Sequence, residues 1–399
     1  MAKREKVKFN NHSGQVLSAV IQFPEVTTTK AFAVFSHCFT CNKNLNAVRY
    51  ISNSLSKAGI AVLSFDFTGL GESEGDFMDT NFSTNVEDIQ AAADFLSEYY
   101  EPPQLLVGHS LGGSAALFAS VDIDSVKAVA TIGSPAQPNH VKRVLADAME
   151  DIEKGEAEVT IAGRVFTFKG QFVNDLERHY VDQVMKKFRK ALLILHSPTD
   201  DVVGIENAAE IYNRALHPKS FMSLDGADHL LLDKEDGLYA GSVIASWAKR
   251  YMKLKSIPEP DSERHTVALN KPEDGYTTFV NSDGHNFIVD EPESLNGENL
   301  GPSPGSLSRA ALASCSAITM RMYANRKKWP VQDLKVHVDY ELKIEEVNGK
   351  KIRKEIFYKE VEIEGELTEE QKKRMYAIAA KCPVHRTLEA QAEIISSLK

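Results

Sequence analysis

Leu105-Leu106-Val107-Gly108-His109-Ser110-Leu111-Gly112-Gly113-Ser114-Ala115-Ala116-Leu117-Phe118-Ala119 is the stretch on which the reading of this chain turns. A short apolar run ends at Val107, the pattern G-x-S-x-G occupies 108–112, and a helix-forming run follows. That is the grammar of a strand that turns sharply into a helix, with glycines relieving the crowding and a serine left exposed at the turn. Without such context on both sides the five-residue pattern carries little weight.

A serine hydroxyl is a poor nucleophile until a base takes its proton, and the base needs an acid to orient it. Both follow Ser110 in the chain. Asp200 lies in His196-Ser197-Pro198-Thr199-Asp200-Asp201-Val202-Val203, just after the apolar run Ala191-Leu192-Leu193-Ile194-Leu195. His229 lies in Asp225-Gly226-Ala227-Asp228-His229, after Phe221-Met222-Ser223-Leu224. Asp201 is the competing acid; Asp200 is preferred for its spacing from His196 and to Val202-Val203.

The runs Ala31-Phe32-Ala33-Val34-Phe35, Ile60-Ala61-Val62-Leu63-Ser64-Phe65 and Val126-Lys127-Ala128-Val129-Ala130-Thr131-Ile132 are also short and apolar, as strands buried inside a parallel sheet should be. Helical patterns separate them, so right-handed βαβ crossovers and an open α/β sheet are expected. Between Gln137 and Lys190 the rhythm breaks into a charged helical stretch, a β-hairpin over Glu158 to Lys169 turning at Ala162-Gly163, and an amphipathic helix. An insertion there, after a strand's carboxyl end, is placed to form a small lid.

The motifs, in the order Ser110, Asp200, His229, resemble the α/β-hydrolase superfamily over about Lys6 to Met252. The resemblance implies an eight-stranded sheet, an acyl-enzyme mechanism and an oxyanion hole of two backbone N–H groups, which by motif position belong to Phe39 and Leu111. Cys38 stands where the family usually has a glycine after the histidine. His37 is expected to brace that loop, and His109 and His196 to serve structural roles. The pair Cys38 and Cys41 forms a C-x-x-C, but no second such motif completes a zinc tetrad; it reads as a structural pair. No cofactor or metal is called for.

The 399 residues exceed what one hydrophobic core usually organises. A helical pattern around Val243 to Met252 gives way to Lys255-Ser256-Ile257-Pro258-Glu259-Pro260-Asp261-Ser262-Glu263, whose prolines and charges mark a linker. We therefore expect a hydrolase domain at 1–253 with its lid at about 137–190, a linker at 254–265, and a second domain at 266–399. The second domain's pattern differs. Leu334, Val336, Val338, Tyr340 and Leu342 alternate with polar residues, Asn348-Gly349 turns into a second strand over Ile352 to Glu364, and helices are expected over Ser306 to Lys327 and Glu369 to Ala380. The last opens on the capping box Thr368-Glu369-Glu370-Gln371.

Net charge is −10, which argues against a nucleic-acid partner or an anionic membrane surface. The start, Met1 to Phe9, has no signal-peptide core and no run is long enough to span a bilayer, so a cytoplasmic protein is expected, its four cysteines beginning as thiols. Cys315 falls on a stripe with Leu307, Ala311, Ile318 and Met322 at i, i+3 and i+4 steps, which should point its thiol into the core. Cys382 precedes Pro383, placing its thiol near a helix N-terminus, where partial positive charge favours thiolate.

Asp290-Glu291-Pro292, Gly301-Pro302-Ser303-Pro304, Ala313-Ser314-Cys315-Ser316-Ala317-Ile318-Thr319-Met320-Arg321-Met322-Tyr323-Ala324 and Lys381-Cys382-Pro383-Val384-His385 resemble the osmotically inducible/organic hydroperoxide resistance (OsmC-like) family over about Thr266 to Leu398. That resemblance implies an α+β fold, an intertwined homodimer, and two cysteines of which one attacks an organic hydroperoxide and the other resolves the sulfenate as a disulfide, which a dithiol then reduces. Either assignment of Cys315 and Cys382 to the two roles is open; Cys315 is preferred as the attacker. Two residues of the family's peroxidases are missing. Gly305-Ser306 stands where a glutamate is expected and Pro272-Glu273-Asp274-Gly275 where an arginine is expected, leaving Arg264, Arg309 and Arg321 as candidate substitutes. The leading reading is an esterase or related acyl hydrolase acting on a small acyl ester and fused to this module; the alternative is a thiol-dependent hydroperoxide reductase to which the hydrolase domain delivers substrate.

Overall fold

A computed structural model describes residues 4–24, 29–161, 163–254, 266–270, 275–347, 350–390 and 392–397. The linker residues 255–265 with Arg264, the segment Pro272-Glu273-Asp274, Ala162 of the first hairpin turn and the Asn348-Gly349 turn lie outside the described residues. Two compact units divide the chain, Met1–Glu259 and Pro260–Lys399.

The first unit opens with β1 (Arg4–Asn10), β2 (Val16–Gln22) and β3 (Ala31–Ser36), then α1 (Asn46–Lys57), β4 (Ile60–Phe65), α2 (Phe82–Tyr99), β5 (Leu105–His109), α3 (Leu111–Ser120) and β6 (Ala128–Ile132). The insertion follows as α4 (Met149–Lys154), the hairpin β7 (Glu156–Ile161) and β8 (Arg164–Lys169), α5 (Gly170–Leu176) and α6 (Val181–Lys187). The sheet then resumes with β9 (Ala191–His196), α7 (Glu206–Arg214), β10 (Lys219–Ser223) and α8 (Lys234–Ala248). This last helix starts earlier than the pattern around Val243 suggests, because the Asp233 carboxylate accepts the Glu235 N–H and caps it there.

Eight strands form one sheet in the order β1-β2-β4-β3-β5-β6-β9-β10, antiparallel through β1, β2 and β4 and parallel from β4 to β10. Because strand side chains alternate, each buried strand feeds two cores. Ala33, Phe35, Val62, Leu105, Val107 and Ala130 pack with Ile51 and Leu55 of α1 and Ile244 of α8. Phe32, Val34, Leu63, Leu106, Val129 and Ile194 pack with Ile89 and Leu96 of α2 and Ala115 of α3. The nearly continuous apolar runs of β3, β4 and β6, broken only by Ser36, Ser64 and Thr131, are the consequence of burial on both faces.

Asp88 of α2 is fully buried and accepts hydrogen bonds from the Thr68 N–H (2.8 Å), the Thr68 hydroxyl (2.9 Å) and the Asn11 amide (3.1 Å). Burial nevertheless outweighs these donors and pushes the carboxyl up from 3.8 to about 6. A folded value above the unfolded one means the folded state holds the proton more tightly, so this group's contribution declines as pH rises from about 4 to about 6 and is level above. Asp88→Asn should raise the denaturant stability at pH 7 relative to that at pH 4 by roughly 2–3 kcal/mol. An unchanged difference would show that Asp88 is ionised at little cost.

The second unit contains the three-stranded antiparallel sheet β11 (Thr266–Asn270), β12 (Thr278–Ser282) and β13 (His285–Val289), then α9 (Pro304–Lys327), the long hairpin β14 (Val331–Val347) and β15 (Lys350–Gly365), α10 (Glu369–Ala379) and α11 (Pro383–Glu389). Thr368 and Gln371 form the capping box of α10. The small core joins Met320 and Ala324 of α9, Val331, and Met375, Ile378 and Ala379 of α10, with Val361 and Ile363 of β15 against it.

This corrects the expected orientation of α9. The face turned inward carries Leu312, Ser316, Met320 and Ala324, whereas Ala311 is exposed, and Ile318 and Met322 are 60% and 68% exposed. Two i, i+4 stripes run along this helix. Met320 and Ala324 of one pack with Val331 and α10, which leaves the other stripe outward and Cys315 half-buried.

Candidate active site

The carboxyl edge of the parallel strands is where an open α/β sheet gathers its chemistry. Ser110 follows β5, Gly133 follows β6, Asp200 follows β9, His229 follows β10, and the His37 to Cys41 loop follows β3. Ser110 has φ 55° and ψ −128°, a conformation that costs a non-glycine residue of order 1–3 kcal/mol. Its N–H donates to the Ile132 carbonyl at 2.8 Å, and its own carbonyl accepts from Gly113 N–H at 2.9 Å. The neighbouring glycines make this turn fit. A Cβ on Gly108 would lie 2.4 Å from Gly113 Cα, and one on Gly112 would lie 2.2 Å from the His37 carbonyl. Gly112 therefore lets the nucleophile helix and the β3 loop touch.

Ser110 Oγ lies 3.0 Å from His229 Nε2, and His229 Nδ1 lies 2.8 Å from Asp200 Oδ2. The tautomer with the proton on Nδ1 satisfies both contacts, leaving Nε2 to accept from the serine. Asp200 Oδ1 accepts the Val202 and Val203 N–H groups at 2.9 and 2.8 Å. Burial pushes the Asp200 carboxyl up, but His229 and the Val203 and Val202 amides outweigh it and hold it below its ordinary value. Asp201 is exposed and is not the carboxylate at hydrogen-bond distance from His229. Gly133, which sequence reasoning did not single out, sits beside this pair. With φ +53°, a Cβ there would come within 3.2 Å of Asp200 Oδ2 and 3.3 Å of His229 Nδ1. Its signal was a glycine directly at the end of an apolar strand.

Three further histidines near the site are supports. His37 Nδ1 lies 2.8 Å from the Cys38 carbonyl while Phe67 N–H donates to its Nε2. His109 Nε2 lies 2.7 Å from the His229 carbonyl, and His196 Nε2 lies 2.7 Å from the Val203 carbonyl, so each steadies a loop that carries a site residue. Burial above all pushes His37 down to about 4 and His109 to about 3, which keeps both rings neutral near pH 7.

Among the described residues no hydrogen bond takes up the Phe39 or Leu111 backbone N–H. Leu111 is the first residue of α3, where an N–H has no partner within the helix. The loop bearing Phe39 departs from the expected thiols, because Cys38 and Cys41 are joined by a disulfide. A tight turn closed by the Cys41 N–H to the Cys38 carbonyl brings their Cα atoms within 5.3 Å, so local geometry decides the pairing. Below the loop, buried Asp66 accepts from the Lys43 N–H, the Lys43 ammonium and the Glu72 N–H. Above it the insertion closes in. The Phe39 ring lies 6.0 Å from Phe77, 6.0 Å from Phe168 and 5.7 Å from Phe172, and Arg164 donates to the Thr40 carbonyl. Ser110, Asp200 and His229 are left 8, 9 and 8% exposed.

In the second unit Cys382 is fully buried as the N-cap of α11, its Sγ accepting the His385 N–H at 3.3 Å. Ser316 Oγ lies 3.5 Å from that sulfur. Burial pushes the Cys382 thiol up, but Ser316, the His385 N–H, the Cys315 thiol and the Lys359 charge outweigh it and lower it below its ordinary value. The two described candidate arginines lie elsewhere. Arg309 donates to Ser306 Oγ, and Arg321 is spent on the Val331 and Gln332 carbonyls, a better-satisfied arrangement for a guanidinium than a thiol. The cation beside the cysteines is Lys359, a residue sequence reasoning missed although it interrupts the inward stripe Lys359, Val361, Ile363 of β15.

Comparison with known proteins agrees with this division. The alpha/beta hydrolase family model matches residues 33–293, overrunning the boundary between the two units, and the OsmC-like protein model matches 297–397. The esterase domain of a Rhodothermus marinus protein is 48% identical, with a TM-score of 0.53 over 62% of this chain and 99% of that one. Est1E of Butyrivibrio proteoclasticus, solved with ferulic acid, is 20% identical with a TM-score of 0.52 over 61% of this chain and 99% of that one, a likeness of fold alone. The mitochondrial palmitoyl-protein thioesterase ABHD10 of mouse is 25% identical over 205 residues, 48% of this chain and 67% of that protein. For the human protein the figures are 25% over 190 residues, and the chain spans only 60% of its length. The chain belongs to the alpha/beta hydrolase family, with an OsmC-like domain following the hydrolase fold.

Proposed function

We propose that the hydrolase domain is a serine hydrolase that cleaves carboxylic esters or thioesters through an acyl-enzyme on Ser110. The observation that carries this is the hydrogen-bonded chain from Ser110 through His229 to Asp200, with Ser110 held on a strained turn. In the reaction His229 takes the hydroxyl proton as Oγ attacks the acyl carbon, and the Phe39 and Leu111 N–H groups receive the oxyanion. The imidazolium then protonates the leaving oxygen or sulfur, and a water repeats the sequence to free the acid. Esters fit the similarity to the Rhodothermus marinus esterase domain, and thioesters the more distant ABHD10 proteins. The test is turnover of nitrophenyl esters and acyl thioesters of graded chain length by the full chain. Absence of turnover across both panels would overturn the reading.

A second reading concerns the OsmC-like domain, which we take as a dimerising two-cysteine module that reduces organic hydroperoxides at the expense of a dithiol. It is favoured by Cys315 and Cys382 interacting beside a cation, and the outward Ala311, Ile318 and Met322 stripe of α9 suits burial against a second copy. Half-buried Cys315 is the more accessible sulfur and the preferred attacker, with Cys382 resolving. Treatment with an organic hydroperoxide should then yield an intramolecular Cys315–Cys382 disulfide by mass spectrometry, absent in Cys315→Ser and Cys382→Ser. Recovery of both thiols, or over-oxidation of one alone, would leave a dimerisation module without redox chemistry. We place the boundary between the two activities within 254–265. Among the described residues no helix is long and apolar enough to cross a membrane. The redox reading calls for a setting that supplies dithiols, as a cytoplasmic one does.

A further inference from the structure

We propose that Lys359, acting through the Ser316 hydroxyl, is the positioning residue that keeps Cys382 as a thiolate. The proposal deepens the redox reading of the cysteine pair and rests on it for its use.

The geometry is a relay across three elements. The Lys359 ammonium, on β15, donates to Ser316 Oγ of α9 at 3.4 Å, to the Ala379 carbonyl at the end of α10 at 3.0 Å, and to His385 Nδ1 of α11 at 3.2 Å. Ser316 is fully buried, and with its oxygen accepting from Lys359 its own O–H is free to point at Cys382 Sγ, 3.5 Å away. The fixed donor on the other side of the sulfur is the His385 N–H. His385, accepting at Nδ1, presents Nε2–H to Glu389 at 3.1 Å. The charged and titratable groups facing Cys382 are thus Cys315, Lys359, His385 and, behind it, Glu389. Of these only Lys359 supplies a full positive charge when His385 is neutral, beside the partial charge of the α11 N-terminus that the His385 N–H brings to the sulfur. Desolvation draws the Lys359 ammonium down, against the negative charge that Cys382, Glu389 and Cys315 offer it. A half-buried lysine that spends its three donors on a carbonyl, an imidazole and a serine facing a thiol is placed for that thiol, since Val361 and Ile363 continue its stripe as ordinary core.

The use follows from the balance of the redox reaction. Cys315 sulfur attacks the distal oxygen of a hydroperoxide, the O–O bond breaks, the alcohol leaves with the thiol proton, and Cys315 becomes a sulfenic acid. The Cys382 thiolate then attacks that sulfur, the S–S bond forms, and hydroxide leaves as water with the proton that Cys382 had released on ionising. A dithiol restores both thiols. Resolution requires the thiolate, so a residue that sustains it sets how long the sulfenic acid survives.

The test uses the full chain and the thiolate's far-ultraviolet absorbance, titrated as a difference against Cys382→Ser. Lys359→Met should raise the Cys382 midpoint by about one to two pH units, and Lys359→Arg should restore it. Ser316→Ala should raise it by less and serves where Lys359→Met does not fold. After a pulse of cumene hydroperoxide near pH 7, capture of the Cys315 sulfenic acid by a cyclic 1,3-diketone should rise about tenfold in Lys359→Met, as the thiolate fraction falls. A midpoint that stays in place in folded Lys359→Met or Ser316→Ala overturns the proposal, even if hydroperoxide still closes the disulfide. A midpoint that moves while no disulfide forms upholds the role of Lys359 and removes the redox reading instead.

Discussion

Ser110→Ala is expected to lower ester turnover by roughly 10⁴- to 10⁶-fold, the residual rate being what an oxyanion hole and substrate binding sustain without a nucleophile. The loss should be in kcat, because the hydroxyl is a reacting group rather than part of the binding surface. Folding should survive. The Ser110 backbone is held by its N–H to Ile132 and by the Gly113 N–H to its carbonyl, neither of which the substitution touches. The side chain contributes one hydrogen bond, to His229, whose removal costs about 1 kcal/mol. Two measurements separate chemistry from folding: the pre-steady-state burst of nitrophenol with the matching acyl adduct on Ser110, and a thermal melt. A variant that retains the burst would place the acyl group elsewhere and end the assignment of Ser110.

Why so much of the hydrolase was legible, and so little of the thiol site, has a physical basis. Strands buried on both faces need apolar residues at consecutive positions, and the elbow needs glycine where no Cβ fits; both demands are local and leave a written pattern at 105–113. Ser110, Asp200 and His229 each follow a strand, so the order of strands announces which loops converge. The insertion is different. That Phe39 meets Phe77, Phe168 and Phe172 depends on how the hairpin of β7 and β8 folds back over the β3 loop, and no periodicity records it. Composition suggested free thiols at Cys38 and Cys41, whereas a turn three residues long brings the sulfurs together whatever the average of the chain. In α9 two i, i+4 stripes compete, and which of them faces inward is decided by distant elements, Met320 and Ala324 packing with Val331 and with Met375, Ile378 and Ala379 of α10. Lys359 was hidden for a related reason. On an alternating strand a lysine reads as solvated, and only the convergence of α9, α10 and α11 makes its side of β15 an interior.

Asp200→Asn should lower kcat by about 10⁴-fold, while Asp201→Asn should leave it near that of the unaltered protein. The two carboxylates are neighbours in sequence, so the contrast isolates geometry from charge. Asp200 uses both oxygens, Oδ2 toward His229 Nδ1 and Oδ1 toward the Val202 and Val203 N–H groups. An asparagine has one acceptor and one donor for these two places. With its NH₂ toward His229 it demands a bare Nδ1, which moves the imidazole proton to Nε2 and removes the base that Ser110 needs. With its oxygen toward His229 it sets NH₂ against two backbone donors, leaving buried groups unpaired. Stability offers a second readout with a definite sign. A carboxyl held low in the folded state stabilises above its ordinary unfolded range and loses that contribution as pH falls through its folded value. Asp200→Asn should therefore weaken the fall in stability on acidification. Loss of activity in Asp201→Asn with Asp200→Asn active would transfer the acid's role to the exposed carboxylate and require the loop after β9 to rearrange.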